Sequence, residues 1–182
     1  MNGQAMAMPA AMDRPADDEP SVRIAALFDA HHQRLYRLAR RMARTTEDAH
    51  DVVQETFLRA ARSPASIPRG PSHEEAWLVR VLINICRDRW RHTAVRTRAA
   101  AEGHVRAATA VSPEAGLLAK AMVQQALATL PPRRRAILVM YELEGATIPA
   151  IAKMLGVTAV TVRWHLSMWR REMAKALKGG DS

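Results

Sequence analysis

The sequence predicts an all-α chain of two small helical domains joined by a linker, and three observations carry that reading. Apolar residues recur at three- and four-residue steps through most of the chain, without strand-like alternation. Ala, Leu, Arg and Met, strong helix formers, dominate, and the aromatics amount to four Trp, two Tyr and two Phe. Between two such helical groups, residues 92–111 lose the period and become Ala, Arg, Thr and His. A length of 182 residues suits one ordinary domain or two small ones, and a 48% hydrophobic share is enough for a packed core.

Residues 1–20 mix Met, Ala, Pro and Asp without periodicity and are expected to form an acidic, disordered tail. They lack the basic-then-apolar layout of a secretory signal, and Met1, Met6, Met8 and Met12 are alternative starts. The first domain is placed at residues 21–92. Ile24, Leu27, Phe28, Leu35, Leu38 and Met42 form its opening apolar stripe. Thr45-Thr46 before Glu47 and Asp48 is a helix start, with acids at the positive end of the dipole. Val52, Val53, Phe57 and Leu58 are the inward stripe of that second helix. Ser63-Pro64 ends it, and SPASIPRGPS is a loop with three prolines. Ser72 with Glu75 reads as a capping box, opening a third helix on Trp77, Leu78, Val81, Leu82 and Ile85. Arginines at 80, 87, 89 and 91 fall on its other faces.

The linker is placed at 93–112 and the second domain at 113–178. Ser112-Pro113 is a cap and first-turn pair, followed by Leu117, Leu118, Met122, Val123, Leu127 and Leu130. Pro131-Pro132 breaks the chain, and Ile137, Leu138, Met140, Tyr141 and Leu143 share a short helix.

Charge is unevenly spread. The net of +9 divides into −3 over residues 1–20 and +6 over each of 31–115 and 116–182. Two basic bodies behind an acidic leader point to a polyanion met in two places, with solvated helix faces as the plain alternative. A single cysteine excludes an intrachain disulfide framework and a multi-cysteine zinc site. No run approaches the length of a membrane span, so a cytoplasmic protein without membrane insertion is expected.

The segment GATIPAIAKMLGVTAVTVRWHLSMWRREM carries the most specific physical pattern. Ile148, Ile151, Ala152 and Leu155 give one short helix an apolar stripe, and Gly156 suits a left-handed corner. Thr158 caps a second helix with Val162, Leu166 and Met173 inward. That layout is a helix-turn-helix. Its outer residues, among them Thr161, Arg163, Trp164, His165, Met168 and Arg171, are shared between solvent, neighbours and DNA. Trp164 either meets a thymine methyl or packs on its own domain. The competing reading is an amphipathic hairpin with solvated arginines. Arg133-Arg134-Arg135 could grip a duplex backbone or an acidic surface, or simply be solvated.

Asp51, Gln54 and Glu55, in the segment DVVQETF, place three acceptor groups where arginines of a protein partner could dock. Without a His-acid cluster or Gly-rich loop around them, no catalytic site, metal or cofactor is expected. His31-His32 and His50 are expected to face solvent, and Cys86 to be a small buried residue.

DVVQETFLRA at 51–60 resembles the core-binding helix of bacterial RNA polymerase sigma factors, and EAWLVRVLINICRDRWR at 75–91 looks like their promoter-melting helix. LPPRRRAILVMYELEG at 130–145 leads into the helix-turn-helix as in the same family. The short linker and lack of further domains match the extracytoplasmic-function (ECF) group, which keeps sigma regions 2 and 4. The resemblance spans residues 24–178. It implies that Asp51, Val52, Gln54 and Glu55 bind core RNA polymerase. It implies that Arg80, Asn84, Arg87, Asp88 and Arg91 meet the minus-ten element of promoter DNA, with a flipped base captured near Asn84. Thr158, Thr161, Arg163, Trp164, His165, Met168 and Arg171 would read the minus-thirty-five element, and an anti-sigma factor would hold the protein in check. Three positions depart from the family: Val160 for a glycine, His165 for an arginine, Met168 for a basic residue. The wording TVRWHLS leans towards LuxR-type regulators, so a LuxR-like factor binding duplex DNA without core polymerase is the alternative.

Overall fold

The computed structural model describes residues 19–100, 127 and 129–179, with side chains to residue 93 and from 127 to 172 except 128. Helix α1 spans Pro20–Met42, opened by a proline in its first turn, where a missing N–H costs nothing. It buries Leu27, His31, Leu35, Leu38, Ala39 and Met42. Helix α2, Thr46–Arg62, is capped by Thr45, whose hydroxyl accepts the Asp48 N–H at 3.0 Å. Its own backbone N–H and the Thr45 hydroxyl hold the Glu47 carboxyl below the usual range.

The inward face of α2 is Ala49, Val52, Val53, Thr56, Phe57 and Ala60. Phe28 and Leu58, expected inside, are 43% and 42% exposed. Each follows the residue that takes the inward position, Leu27 or Phe57, and one residue on turns a helix by about 100°. His31, expected in solvent, is buried, and His32 stacks on Phe28 at 4.5 Å.

The loop after α2 holds a 3-10 turn at Pro64–Ser66. Arg23 pins it from α1, donating to the carbonyls of Pro64 (3.2 Å), Ile67 (2.8 Å) and Pro68 (3.2 Å). Helix α3 then runs Pro71–Ala100, well into the segment expected to be linker. It opens one residue before the expected Ser72 cap, on Pro71 after Gly70 at φ 104°. Glu75 is not the return arm of a capping box, because Arg34 of α1 binds it.

The Ser112-Pro113 start and Leu117, Leu118, Met122 and Val123 lie outside the described residues, whereas Leu127 and Leu130 are buried. Helix α4, Pro132–Leu138, continues as a π-turn at Val139–Leu143 that buries Val139 and Met140. Helices α5, Ile148–Leu155, and α6, Ala159–Gly179, follow. No strand occurs among the described residues.

Both halves share one hydrophobic cluster, with α4 and α5 packed against α3. Two arginines staple the contact. Arg135 is 5% exposed and donates to the Met42 carbonyl of α1 and, at 3.1 Å, to the Leu130 carbonyl. Burial lowers its pKa, the Cys86 thiol partly offsetting this. Arg34 reaches Glu144 at 3.4 Å and the Met154 Sδ at 3.6 Å, besides Glu75. The arginine run at 133–135 is therefore not a uniform surface patch: Arg135 is interior, Arg134 pairs with Glu172 at 3.1 Å, and Arg133 is exposed.

Candidate nucleic-acid interface

The helix-turn-helix is built by local rules. The Thr147 hydroxyl caps α5 by accepting the Ala150 N–H at 3.4 Å. Gly156 ends it at φ 65°, ψ 40°, a left-handed conformation that costs glycine little. Thr158 caps α6: its hydroxyl accepts the Thr161 N–H at 3.1 Å and bonds the Thr161 hydroxyl at 2.9 Å. Val162 and Leu166 face the core, and the side chain of Met173 lies outside the described residues.

The outer face then follows by helical spacing. Arg163, Arg170 and Arg171 are exposed, as is Thr158, while Thr161, His165 and Met168 are half-buried. Trp164 is 57% exposed, so it does not pack into its own domain. Its ring and that of His165 meet edge-to-face, centroids 4.8 Å apart at 70°. Burial lowers the His165 pKa, and Arg134 and Arg133 lower it further. The Nδ1 of His165 is buried without a hydrogen-bond partner among the described residues.

A second feature lies on the first domain. A cavity of about 310 Å³ is lined by Arg59, Arg62, Ser63 and Ser66 from the end of α2 and its loop, and by Trp77, Val81 and Asn84 from α3. Trp77, Val81 and Asn84 share a face because they recur at four- and three-residue steps. Sequence reasoning found Trp77 and Asn84 but missed Arg59, Arg62, Ser63 and Ser66. The visible signal for the first was the Glu55–Arg59 pair at four-residue spacing, which closes at 3.0 Å.

The other minus-ten candidates are dispersed. Arg80 turns to the helix-turn-helix corner, its Nη1 3.5 Å from where a Cβ on Gly156 would stand. Arg87 lies 3.7 Å from Asp88, and Arg91 is exposed. Arg89 is drawn to α2, 3.9 Å from the Asp48 carboxylate.

On α2, Asp51 and Gln54 are exposed. Glu55 is half-buried and engaged, with Arg59 at 3.0 Å and Arg62 at 3.9 Å. Val52 is 2% exposed and packs in the bundle, so its side chain offers no contact to a partner. Cys86 is buried beside Arg135, and burial pushes its thiol up to about 11. Among the described residues no three His, Cys, Asp or Glu gather to hold a metal, and no helix is long and apolar enough to cross a membrane.

A basic helix-turn-helix beside a helical bundle is the architecture of an all-α DNA-binding protein. Comparison with known proteins makes the class specific. Sigma-70 region 2 matches residues 27–96 and Sigma-70 region 4 matches residues 120–173. The chain is 35% identical over 176 residues to the ECF RNA polymerase sigma factor SigM of Mycobacterium tuberculosis, covering 97% of this chain and 84% of that protein. It is 35% identical over 152 residues to the ECF RNA polymerase sigma factor SigE of Mycolicibacterium smegmatis, covering 81% and 58%. The structure of CnrH in complex with the cytosolic domain of CnrY superposes with a TM-score of 0.60 at 25% identity, covering 92% and 94%. That of the sigma factor RpoE with the anti-sigma factor NepR from Bartonella quintana shares the fold, with a TM-score of 0.60 at 20% identity, covering 87% and 96%. The chain belongs to the ECF sigma factors of the sigma-70 family. It is a transcription initiation factor that works with core RNA polymerase on promoter DNA. The region 2 match removes the LuxR-like alternative, because a lone helix-turn-helix accounts for none of residues 27–96.

Proposed function

We propose that α2 docks the chain on core polymerase through Asp51, Gln54 and Glu55, that α3 and the loop before it hold the melted minus-ten strand, and that α6 enters the major groove of the minus-thirty-five element. The observation that carries this reading is the cavity. It sets the Asn84 amide, able to pair with an unstacked base edge, beside an indole and two guanidinium groups suited to a base face and phosphates. Arg59 and Arg62 join the site, while Arg80 meets DNA only once the second domain leaves it. The chain contributes no catalytic group, since the polymerase performs the chemistry, and it acts in the cytoplasm. The relatives CnrH and RpoE are held by CnrY and NepR, and an anti-sigma factor holds this chain likewise.

Affinity for purified core polymerase tests the docking face. Asp51→Arg, at an exposed position, should weaken binding tenfold or more with an unchanged Tm. Equal core affinity for the variant and the wild type overturns the assignment.

A further inference from the structure

Helix α6 carries an apolar stripe on its outside. Val160, Trp164 and Met168 follow one another at four-residue steps and so stand in a row. Val160 is 69% exposed, Trp164 is 57% exposed and Met168 is half-buried. Two large apolar side chains this open, one turn apart, mark a surface that something else covers.

The surroundings say what. Arg163, Arg170 and Arg171 are exposed on the same helix, and Arg133 is exposed at the start of α4. The occupant is therefore anionic at its rims and apolar between them. The major groove of duplex DNA has that profile where it carries thymines, with phosphates on both edges and C5-methyl groups on the floor. The stripe also begins at the capped N-terminus of the second helix of a helix-turn-helix, the part that meets base edges.

Among residues 160–168 the exposed hydrogen-bonding side chains, besides the Trp164 indole, are those of Arg163 and Ser167. The Thr158 and Thr161 hydroxyls bond each other within the cap, and residues 160–168 contain no Asn, Gln or Lys. Val160 and Trp164 are separated by about 6 Å along the axis, close to two base steps of about 3.4 Å.

We propose that α6 reads its element chiefly by apolar contact, Val160 and Trp164 seating against thymine C5-methyl groups, with Trp164 as the specificity-determining residue. This rests on the reading of α6 as the minus-thirty-five helix. The indole and the His165 ring meet edge-to-face, and burial together with Arg134 and Arg133 favours the neutral imidazole in that place.

The test uses holoenzyme assembled from the full chain and core polymerase. It selects binding sites from a random duplex library, and the selected duplex is remade with deoxyuridine for thymidine in its upstream element. That exchange deletes the methyl and keeps the pairing edge. The wild type should bind the deoxyuridine duplex about fourfold more weakly for each contacted methyl, the factor expected for one methyl-sized burial. Trp164→Ala, at an exposed position, should fold normally and keep only the part of the preference that Val160 supplies, while Trp164→Phe should keep more of it and the Val160→Ala/Trp164→Ala double variant should bind both duplexes alike. Equal wild-type affinity for the two duplexes, or an undiminished preference in Trp164→Ala, overturns the proposal. A holoenzyme that selects no upstream element at all overturns the underlying reading of α6, and this inference with it.

Discussion

Arg135 shows how one residue joins two regions of this protein. Its guanidinium lies inside the molecule and donates to main-chain carbonyls at Met42 and Leu130, which burial would otherwise leave short of donors. Arg135→Ala should cost on the order of 3 kcal/mol, roughly 6–12 °C in Tm by calorimetry. Arg133→Ala, on the exposed side of the same run, should change Tm by less than about 2 °C. The sequence offers no way to tell the three arginines apart. Which of them turns inward depends on a carbonyl far away in the chain, at Met42.

His165 and Cys86 give stability two pH limits. The His165 pKa is lowered in the folded chain, so the unfolded chain takes up the proton first as pH falls. Its contribution is present above the ordinary histidine value of about 6.5 and is lost as pH drops below it. Tm should therefore fall between pH 7 and 5, and less steeply in His165→Gln. Cys86 runs the other way. Its thiol is raised to about 11, so its contribution is whole below the ordinary thiol range and is lost as pH rises towards 11. At pH 8 a thiol reagent should modify Cys86 only as the protein unfolds, and modification at the rate of a free thiol would contradict its burial.

Among the described residues, the helices that sequence periodicity marks are those the chain forms, although α3 runs on past them to Ala100. Local chemistry accounts for that: the Thr45 cap, the proline loop, the Gly156 corner and the Thr158 cap each act within four residues of themselves. Gly156→Ala should cost about 1 kcal/mol through its positive φ, since the added Cβ meets Arg80 only at ordinary contact distance. Thr158→Ala should cost a similar amount by losing the cap. Hydrogen exchange at the α6 amides reads both. The cavity was legible only in part. Trp77 and Asn84 sit on one helix and are visible by spacing, whereas Arg59, Arg62, Ser63 and Ser66 join them through the packing of α2 on α3. Val52 illustrates the limit of carrying a motif over whole. It lies within the segment proposed to dock, but helical geometry turns it inward, so Val52→Ala should lower Tm and leave core affinity unchanged.

At the scale of the whole molecule, the two regions are in contact, tied by Arg34 to Glu144 and Arg135 to Met42. Promoter elements centred roughly 25 base pairs apart lie about 85 Å from each other along the duplex. A chain that reads both at once must separate its halves. Fluorophores on Ser72→Cys and Ser167→Cys, both exposed positions, should show efficient energy transfer in the free protein and little in the promoter complex. Buried Cys86 would stay unlabelled.

Run-off transcription with purified core polymerase on a library of genomic promoter fragments reads promoter-directed initiation itself. The wild-type chain should give discrete, promoter-specific transcripts, which Asp51→Arg should abolish and Asn84→Ala should weaken at unchanged core affinity. A folded wild-type chain that stimulates no transcript from any fragment, or variants as active as the wild type, would contradict the proposed function.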